Sequence, residues 1–265
     1  MVDWIGGGKS IVNIPFGVDV AEGDQSNVES WSKIGYHAAV GTDEIDMMPW
    51  AAGTARYGLT YTFPNNATSM VICSTSANDV NATGWGAWGA GVKYLDAGYN
   101  ENYATVALNG VTSVTVATNI FRIQNVHVVN AGTSNIAIGN LTVGTKEQTY
   151  GYITATKTRM RQCIWTVPYG KVLYVSQIFF SCAQQAASKM VRFTTRANYN
   201  TAAKMVLKRG LFMPFHEIAL NNTGLSVPLD PPTPLPATTD IKVSAIADSA
   251  AIATCALRGW VKTDI

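Results

Sequence analysis

The chain of 265 residues suffices for one large domain or two modest ones. Apolar residues make up 47% and charged residues only 14%, so Asn, Thr, Ser, Gln and Gly must carry solubility, a surface that suits a protein buried against neighbours. A formal net charge of +2 excludes a strong nucleic-acid footprint, and with no apolar run of 18 residues there is no membrane-spanning helix, so neither nucleic acid nor membrane is an expected partner.

The first 56 residues read differently from the rest. MVDWIGGGKS lacks the basic start and apolar centre of a signal peptide, which points to folding in a cytoplasm. Its end is similar to a phosphate-binding loop, but that pattern needs a glycine where Asp3 stands and a buried strand before it, so a Gly-rich flexible segment is the better reading. VESWSKIGYHAAV (28–40) has a weak helical pattern, and DEIDMMPW is acidic, then apolar, then broken by Pro49. Two readings stand side by side. Residues 1–56 form an extended arm that ties the chain to a neighbour through Trp4, Ile11, Ile14, Phe16 and Trp31, or they form an irregular first strand pair of the main fold.

From Tyr57 onward the period is near two, with frequent Gly and Asn turns, which predicts strands. ATVALNG sets Val106 and Leu108 against Thr105 and Ala107. FRIQNVHVVN aligns Phe121 and Ile123, then Val126 and Val128 after an offset, with His127 on the opposite face. NIAIGNLTVGT places Ile136 and Ile138 before a Gly-Asn turn, then Leu141 and Val143. CIWTVPYGKVLYVSQIFFSC joins two apolar runs at Pro168–Gly170, and KMVRFTTRAN opposes Val191 and Phe193 to Arg192, Thr194 and Arg196. LDPPTPLP (229–236) is too rich in proline for a central strand and must be a loop or an edge cover. DIKVSAIAD and ATCALRGWVKT close the chain. The predicted fold is all-β: antiparallel, β-sandwich or jelly-roll-like, with an N-terminal arm (1–56), a first β-sandwich domain (57–147) and a second (148–265).

Candidate chemistry is sparse. YLDAGYNENYATVALNG offers Asp96, Asn100 and Glu101, but counting an EF-hand from Asp96 puts Glu101 where glycine belongs and Ala107 where glutamate belongs, so a tight turn followed by a strand is expected. The sequence-local carboxylates Asp43, Glu44 and Asp46 look like a solvated acidic turn rather than a glycosidase pair. His37, His127 and His216 are distant in sequence and form no local nucleophile–base arrangement. Arg196, Lys204, Lys208 and Arg209 with Tyr199 could serve single-stranded nucleic acid, yet a solvated strand face is the plainer account. Cys73, Cys163, Cys182 and Cys255 lack zinc spacing and read as small buried hydrophobes in a reducing compartment. The N-x-[ST] triplets at Asn66, Asn81, Asn140 and Asn222 fit an Asn/Thr-rich composition. No catalytic residue, cofactor-binding residue or metal ligand is assigned.

Residues 74–144 carry a string of turn and strand motifs. They are Ser-Ala-Asn-Asp at 76–79, Leu-Asp-Ala-Gly-Tyr-Asn-Glu at 95–101, Leu-Asn-Gly at 108–110 and the Thr-Asn strand that reaches Arg122 and Ile123. This run resembles a module of small virion structural proteins of tailed bacteriophages, and TVPYGKVLYVSQ (166–177) resembles a hairpin in that family's second domain. Trp85 and Trp88 depart from the smaller residues usual there. The resemblance implies a non-enzymatic virion protein, assembled in the host cytoplasm, that decorates or cements the capsid. The alternative is a tail, baseplate or fibre component that contacts the host surface. Implied partners are copies of itself, as a homo-oligomer of three, and the major capsid protein or other virion proteins. No cofactor is implied. Trp85, Trp88 and Tyr99, beside the Gly-rich strand and its turn, are the expected interface anchors.

Overall fold

The computed structural model describes residues 4–5, 9–10, 16–23, 25–49, 60–184, 190–199 and 211–263. In chain order the elements are β1 (Trp4–Ile5), β2 (Lys9–Ser10), α1 (Phe16–Glu22), β3 (Val28–Val40), β4 (Ile45–Asp46), β5 (Thr68–Ser74), β6 (Ala87–Leu95), β7 (Glu101–Ala107), β8 (Val114–Ile120) and β9 (Arg122–Ala131). Then come β10 (Leu141–Gly144), β11 (Thr149–Ile153), β12 (Ile164–Thr166), β13 (Lys171–Gln184), β14 (Val191–Tyr199), β15 (Met213–Leu220), β16 (Gly224–Leu235), β17 (Thr239–Ala247) and β18 (Ala251–Thr263). The fold is all-β, and its strands pair antiparallel, as the period-two alternation predicts.

Four sheets pack as two sandwiches. Sandwich I faces β11-β10-β5-β8 against β7-β6-β9. Its core joins Met70, Ile72, Leu141 and Val143 of one sheet to Ala90, Val92, Ile123 and Val126 of the other. Sandwich II faces β12-β17-β14-β15, with β4 added to β17, against β16-β13-β18-β3. There Phe180 of β13 stacks on Phe193 of β14 across the two sheets, ring centroids 4.7 Å apart. A small third cluster of Met48, Tyr61, Tyr152 and Ile164 sits where the sandwiches join.

The chain does not run arm, first domain, second domain. β3 pairs along its whole length with β18, and β4 pairs with β17, so residues 28–46 belong to sandwich II and sandwich I is inserted between β4 and β12. Over these residues the arm is corrected in favour of the first-strand reading. The helical impression came from muted alternation. The inward positions of β3 are Trp31, Lys33, Gly35 and His37, while the large Ile34 points outward and is 44% exposed. Glycine is required at 35, because a Cβ there would lie 2.7 Å from Cys163 Cβ and 2.8 Å from Cys255 Sγ. Ile11 and Ile14 lie outside the described residues.

Three more boundaries move. The expected break between 147 and 148 falls inside the β10–β11 hairpin; the first core continues to Met160, and the second, which already holds Val40, Ile45 and Met47, resumes at Cys163. The Pro168–Gly170 turn does not make a hairpin: β12 pairs with β17, whereas β13 pairs with β16 and β18, so the turn carries the chain between the two sheets of sandwich II. The proline-rich stretch sits in β16, an edge strand whose one neighbour in the sheet is β13.

Sandwich II docks on half of one face of sandwich I. Along β9, Ile123, Val126 and Val128 face the core, and the offset read from the sequence is a bulge in which Tyr94 pairs with Ile123 but Lys93 pairs with Asn125. On the outer side, Arg122 and Gln124 are buried beneath sandwich II, while Val129 stays at the surface.

Candidate functional site

The residues that sequence reasoning missed meet in the seam between the sandwiches. Arg122 Nε donates to Asp240 Oδ1 and Nη2 to Oδ2, both at 3.0 Å, a two-pronged ion pair with both partners buried. Nη1 donates to the carbonyls of Pro64 (2.6 Å) and Phe121 (3.1 Å). The guanidinium carbon lies 3.9 Å from the Phe121 ring centre and 5.0 Å from that of Phe63. Thr166 Oγ1 donates to Asp240 Oδ1 at 2.5 Å. Two residues along β9, the Gln124 carboxamide forms a double clamp on Thr166, accepting from its N–H (3.1 Å) and donating to its carbonyl (2.5 Å).

The polar side chains of β17 explain why this face is dry. Asp240, Lys242 and Ser244 alternate with the core residues Ile241, Val243 and Ala245, so the pattern alone predicts a solvated outer face. Instead all three are buried under the segment around β4 and under sandwich I. Lys242 Nζ donates to Asp46 Oδ2 at 2.9 Å, and the Tyr61 N–H donates to the same oxygen at 2.5 Å. Burial pushes the Asp46 carboxyl above its ordinary range, against the pull of Lys242. Burial also pushes Glu44 up, but Arg196 and Ser244 outweigh it and hold its carboxyl below the usual range. Glu44 and Asp46 are therefore not a solvated acidic turn; Asp43 alone of the three is exposed. Arg196 likewise is not a solvated face residue but the partner of Glu44 and Ser244.

The 95–101 turn also serves the seam. Asp96 Oδ1 accepts the N–H groups of Gly98 (2.8 Å) and Asn100 (3.0 Å), and the Asn100 and Asn102 carboxamides donate to the same carboxylate. The carboxylate is surrounded by donors, the arrangement of a self-closed turn. Glu101 points elsewhere. It accepts from Lys93 Nζ (2.6 Å) and from Lys171 of sandwich II. The Tyr169 N–H donates to the Tyr99 carbonyl at 3.0 Å. Tyr99 thus packs against Phe121 within the chain, and Trp88 turns its Nε1–H to the Gly84 carbonyl at 2.6 Å. Of the three expected anchors only Trp85 stands out, at 50% exposure.

The remaining candidates are dispersed. His37, His127 and His216 lie on β3, β9 and β15, and burial lowers the pKa of each. His127 stacks on Tyr103 with ring centres 5.9 Å apart, over Gly91, where a Cβ would strike both rings. Trp31 meets Trp165 at 5.0 Å inside the seam, so it is spent within the chain, and Phe16 packs edge-on against Trp260 at 5.2 Å. Cys163, Cys182 and Cys255 are buried, but Cys73 is only partly so and faces Thr142 Oγ1 at 3.3 Å. Lys204, Lys208 and Arg209 lie outside the described residues. Among the described residues no three His, Cys, Asp or Glu side chains converge to hold a metal ion. No helix there is long and apolar enough to cross a membrane.

What the described surface does offer is a clean cross-strand row. In the sheet β16-β13-β18-β3, Ser226, Phe179, Ala256 and Ile34 stand side by side in register. Phe179 is 37% exposed and Ile34 44%, and Ile252 stands exposed two positions further along on the same face.

No protein-family model matches the chain, and no curated protein does. Among solved structures, the infectious bursal disease virus Gt strain overlays it at 10% identity, over 94% of this chain and 76% of that one, with a TM-score of 0.17. The VP2 subviral particle of infectious bursal disease virus overlays at 10% identity, over 95% and 78%, with a TM-score of 0.18. Similarity at that level does not establish a shared fold.

Proposed function

We propose that this chain is a non-enzymatic structural protein of a tailed bacteriophage particle, assembled in the host cytoplasm, that decorates or cements the capsid by self-assembly. What supports the reading is a division of labour. The ion pairs Arg122–Asp240 and Lys171–Glu101 are taken up in holding two sandwiches together, and exposed apolar side chains are left on an open sheet face. The motif resemblance of residues 74–144 supplies the virion context. The single observation that carries self-assembly is the exposure of Phe179 and Ile34, in register on either side of the small, buried Ala256, because apolar side chains aligned on one sheet face make one patch rather than scattered exposed atoms. A closed ring of three copies is the proposed assembly, with the major capsid protein or other virion proteins as further partners.

Light scattering at micromolar concentration tests this. The expected mass is three times 28.4 kDa. A mass of 28.4 kDa rejects self-assembly, and a mass of twice or six times that value rejects the trimer alone. Phe179→Asp should return the protein to the monomer with an unchanged far-ultraviolet spectrum. Gold labelling of particles then decides the station: label on purified heads is expected, and label confined to tails overturns capsid decoration in favour of the tail reading.

A further inference from the structure

One cleft of the seam is lined by cations without a matching set of carboxylates. It measures about 300 Å³, and its walls include Trp31, Lys33, Lys93, Asn125, Arg159 and Trp165. β3 supplies Lys33, β6 supplies Lys93, and the loop after β11 supplies Arg159, so three separate elements converge. Lys33 is partly buried and its ammonium makes a single hydrogen bond, to the Gln124 carbonyl. Two of its three N–H donors are left over. Arg159 is exposed, its backbone bridges to His127, and its guanidinium is in none of the ion pairs among the described residues. Lys93 shares Glu101 with Lys171, and no Asp or Glu is among the residues that line the cleft.

We infer that this cleft binds a tetrahedral oxyanion, a phosphate or sulfate group, between Lys33 and Arg159 with Lys93 at its rim. The chemistry fits at three points. A doubly charged anion offsets the excess of positive charge that the fold has gathered there. Its oxygens accept the unused donors of the ammonium and the fork of the guanidinium, which matches such groups in two-pronged fashion. The tilted Trp31–Trp165 pair forms an apolar wall, and a wall of low dielectric strengthens the attraction. Burial lowers the Lys33 ammonium to about 8, and Lys93 adds to the effect, so an anion in the cleft relieves a charge that the fold holds at a disadvantage. Asn125 adds a polar residue to the lining, and Ser30 and Ser32 of β3 border it. The proposed anion contacts are separate from the virion reading: Ile34 borders both the cleft and the Phe179 row, but Lys33, Lys93 and Arg159 belong to the cleft alone.

The test uses the full chain in an amine-sulfonate buffer at pH 7 and constant ionic strength, with inorganic phosphate, methyl phosphate and sodium chloride as titrants. Phosphate binding is read by calorimetry and by the rise in melting temperature. The expected result is saturable stabilisation by phosphate that chloride does not reproduce. Arg159→Gln, a surface change, and Lys33→Met should each weaken phosphate binding at least fivefold, while Lys262→Gln on the far end of β18 leaves it unchanged. Equal binding of phosphate and methyl phosphate assigns the free anionic group as ligand. Binding of methyl phosphate alone assigns a phosphate ester. No saturable binding of either, or equal weakening by Lys262→Gln, overturns the inference. Should Lys33→Met fail to fold, Arg159→Gln decides.

Discussion

Strand β9 passes through two environments within ten residues, and the contrast shows how this protein spends its polar groups. At its start, Arg122 and Gln124 face sandwich II, and each of their hydrogen-bonding groups has a partner aimed at it. Past the bulge, His127 and Val129 share the same outer side with Tyr103, and that half of the sheet is open, with Tyr103 55% exposed. The covered half is specified by charge and hydrogen-bond geometry. The open half is a flat surface, smoothed by Gly91, that asks little of its neighbours. One strand can do both because the bulge at Gln124 separates the two halves in register.

The largest expected effect comes from breaking the covered half. Arg122→Met takes the guanidinium away from the buried Asp240 carboxylate, which should cost about 3–5 kcal/mol. In a chain of this size that lowers the melting temperature by roughly 10 °C. The double variant Arg122→Met/Asp240→Leu removes both charges and should recover most of the loss. If it recovers none, the seam is held by packing and the pair is incidental. A second transition in the melting curve of the single variant is also expected, because the two sandwiches then lose their strongest polar link.

Much of sandwich I was legible in the sequence for a simple reason. Val106 and Leu108, Leu141 and Val143, and Ile123 against Val126 follow the alternation of a sheet with one wet face, and the Leu-Asn-Gly turn places Gly110 at φ 58°, where glycine is favoured. β3 was hidden because its inward positions are Trp, Lys, Gly and His, which break the apolar code. The seam was hidden for a different reason. Arg122 and Asp240 are 118 positions apart, and each sits on the polar side of a strand, where a sequence reader assigns water. A cue existed in retrospect. Phe121 precedes Arg122, and the Phe121 ring lies against the guanidinium, a pairing that suits a buried arginine better than a solvated one. Asp79 in the Ser-Ala-Asn-Asp stretch is another case. It is fully buried and accepts from Ser74 Oγ and the N–H groups of Ala87, Ile138 and Gly139, so a motif that reads as a turn works as the tie between three loops.

A middle-sized effect sharpens the comparison at the margin of the covered half. Lys33 is flanked by Lys93, Arg159, the Cys163 thiol and the Gln124 carbonyl. Its ammonium is lowered from 10.5 to about 8, first by burial and then by Lys93, with Cys163 opposing. Below pH 8 the lysine is charged in folded and unfolded chains alike, and the folded state bears the full burden of burying it. Between pH 8 and 10.5 the unfolded chain binds the extra proton, so stability rises with pH across that window. Lys33→Met should therefore stabilise the protein at pH 7 in phosphate-free buffer by about 1–2 kcal/mol, less than the full shift because the Gln124 carbonyl loses its donor. The advantage should fade as pH approaches 10.5. Urea midpoints of both proteins across that range check it, and an advantage that stays constant with pH would assign the gain to packing alone.

The smallest effect belongs to the open half, and its smallness is the point. Tyr103→Ser removes a ring that is more than half exposed and one hydrogen-bonding contact, Tyr103 Oη to His127 Nε2 at 3.3 Å. The stacked ring of His127 loses its cover, but no buried charge is stranded and no core volume is emptied. Exposed substitutions of this kind fall within about 0.5 kcal/mol. The melting temperature should move by no more than about 2 °C, and the amide exchange of β6, the central strand beneath, should be unchanged. A loss comparable with that of Arg122→Met would mean that the open half is as tightly specified as the covered one, and that the bulge at Gln124 divides nothing. If stability holds, the same variant becomes a clean probe of contact with other molecules, because any change in the assembled mass can then be read as lost association rather than lost folding.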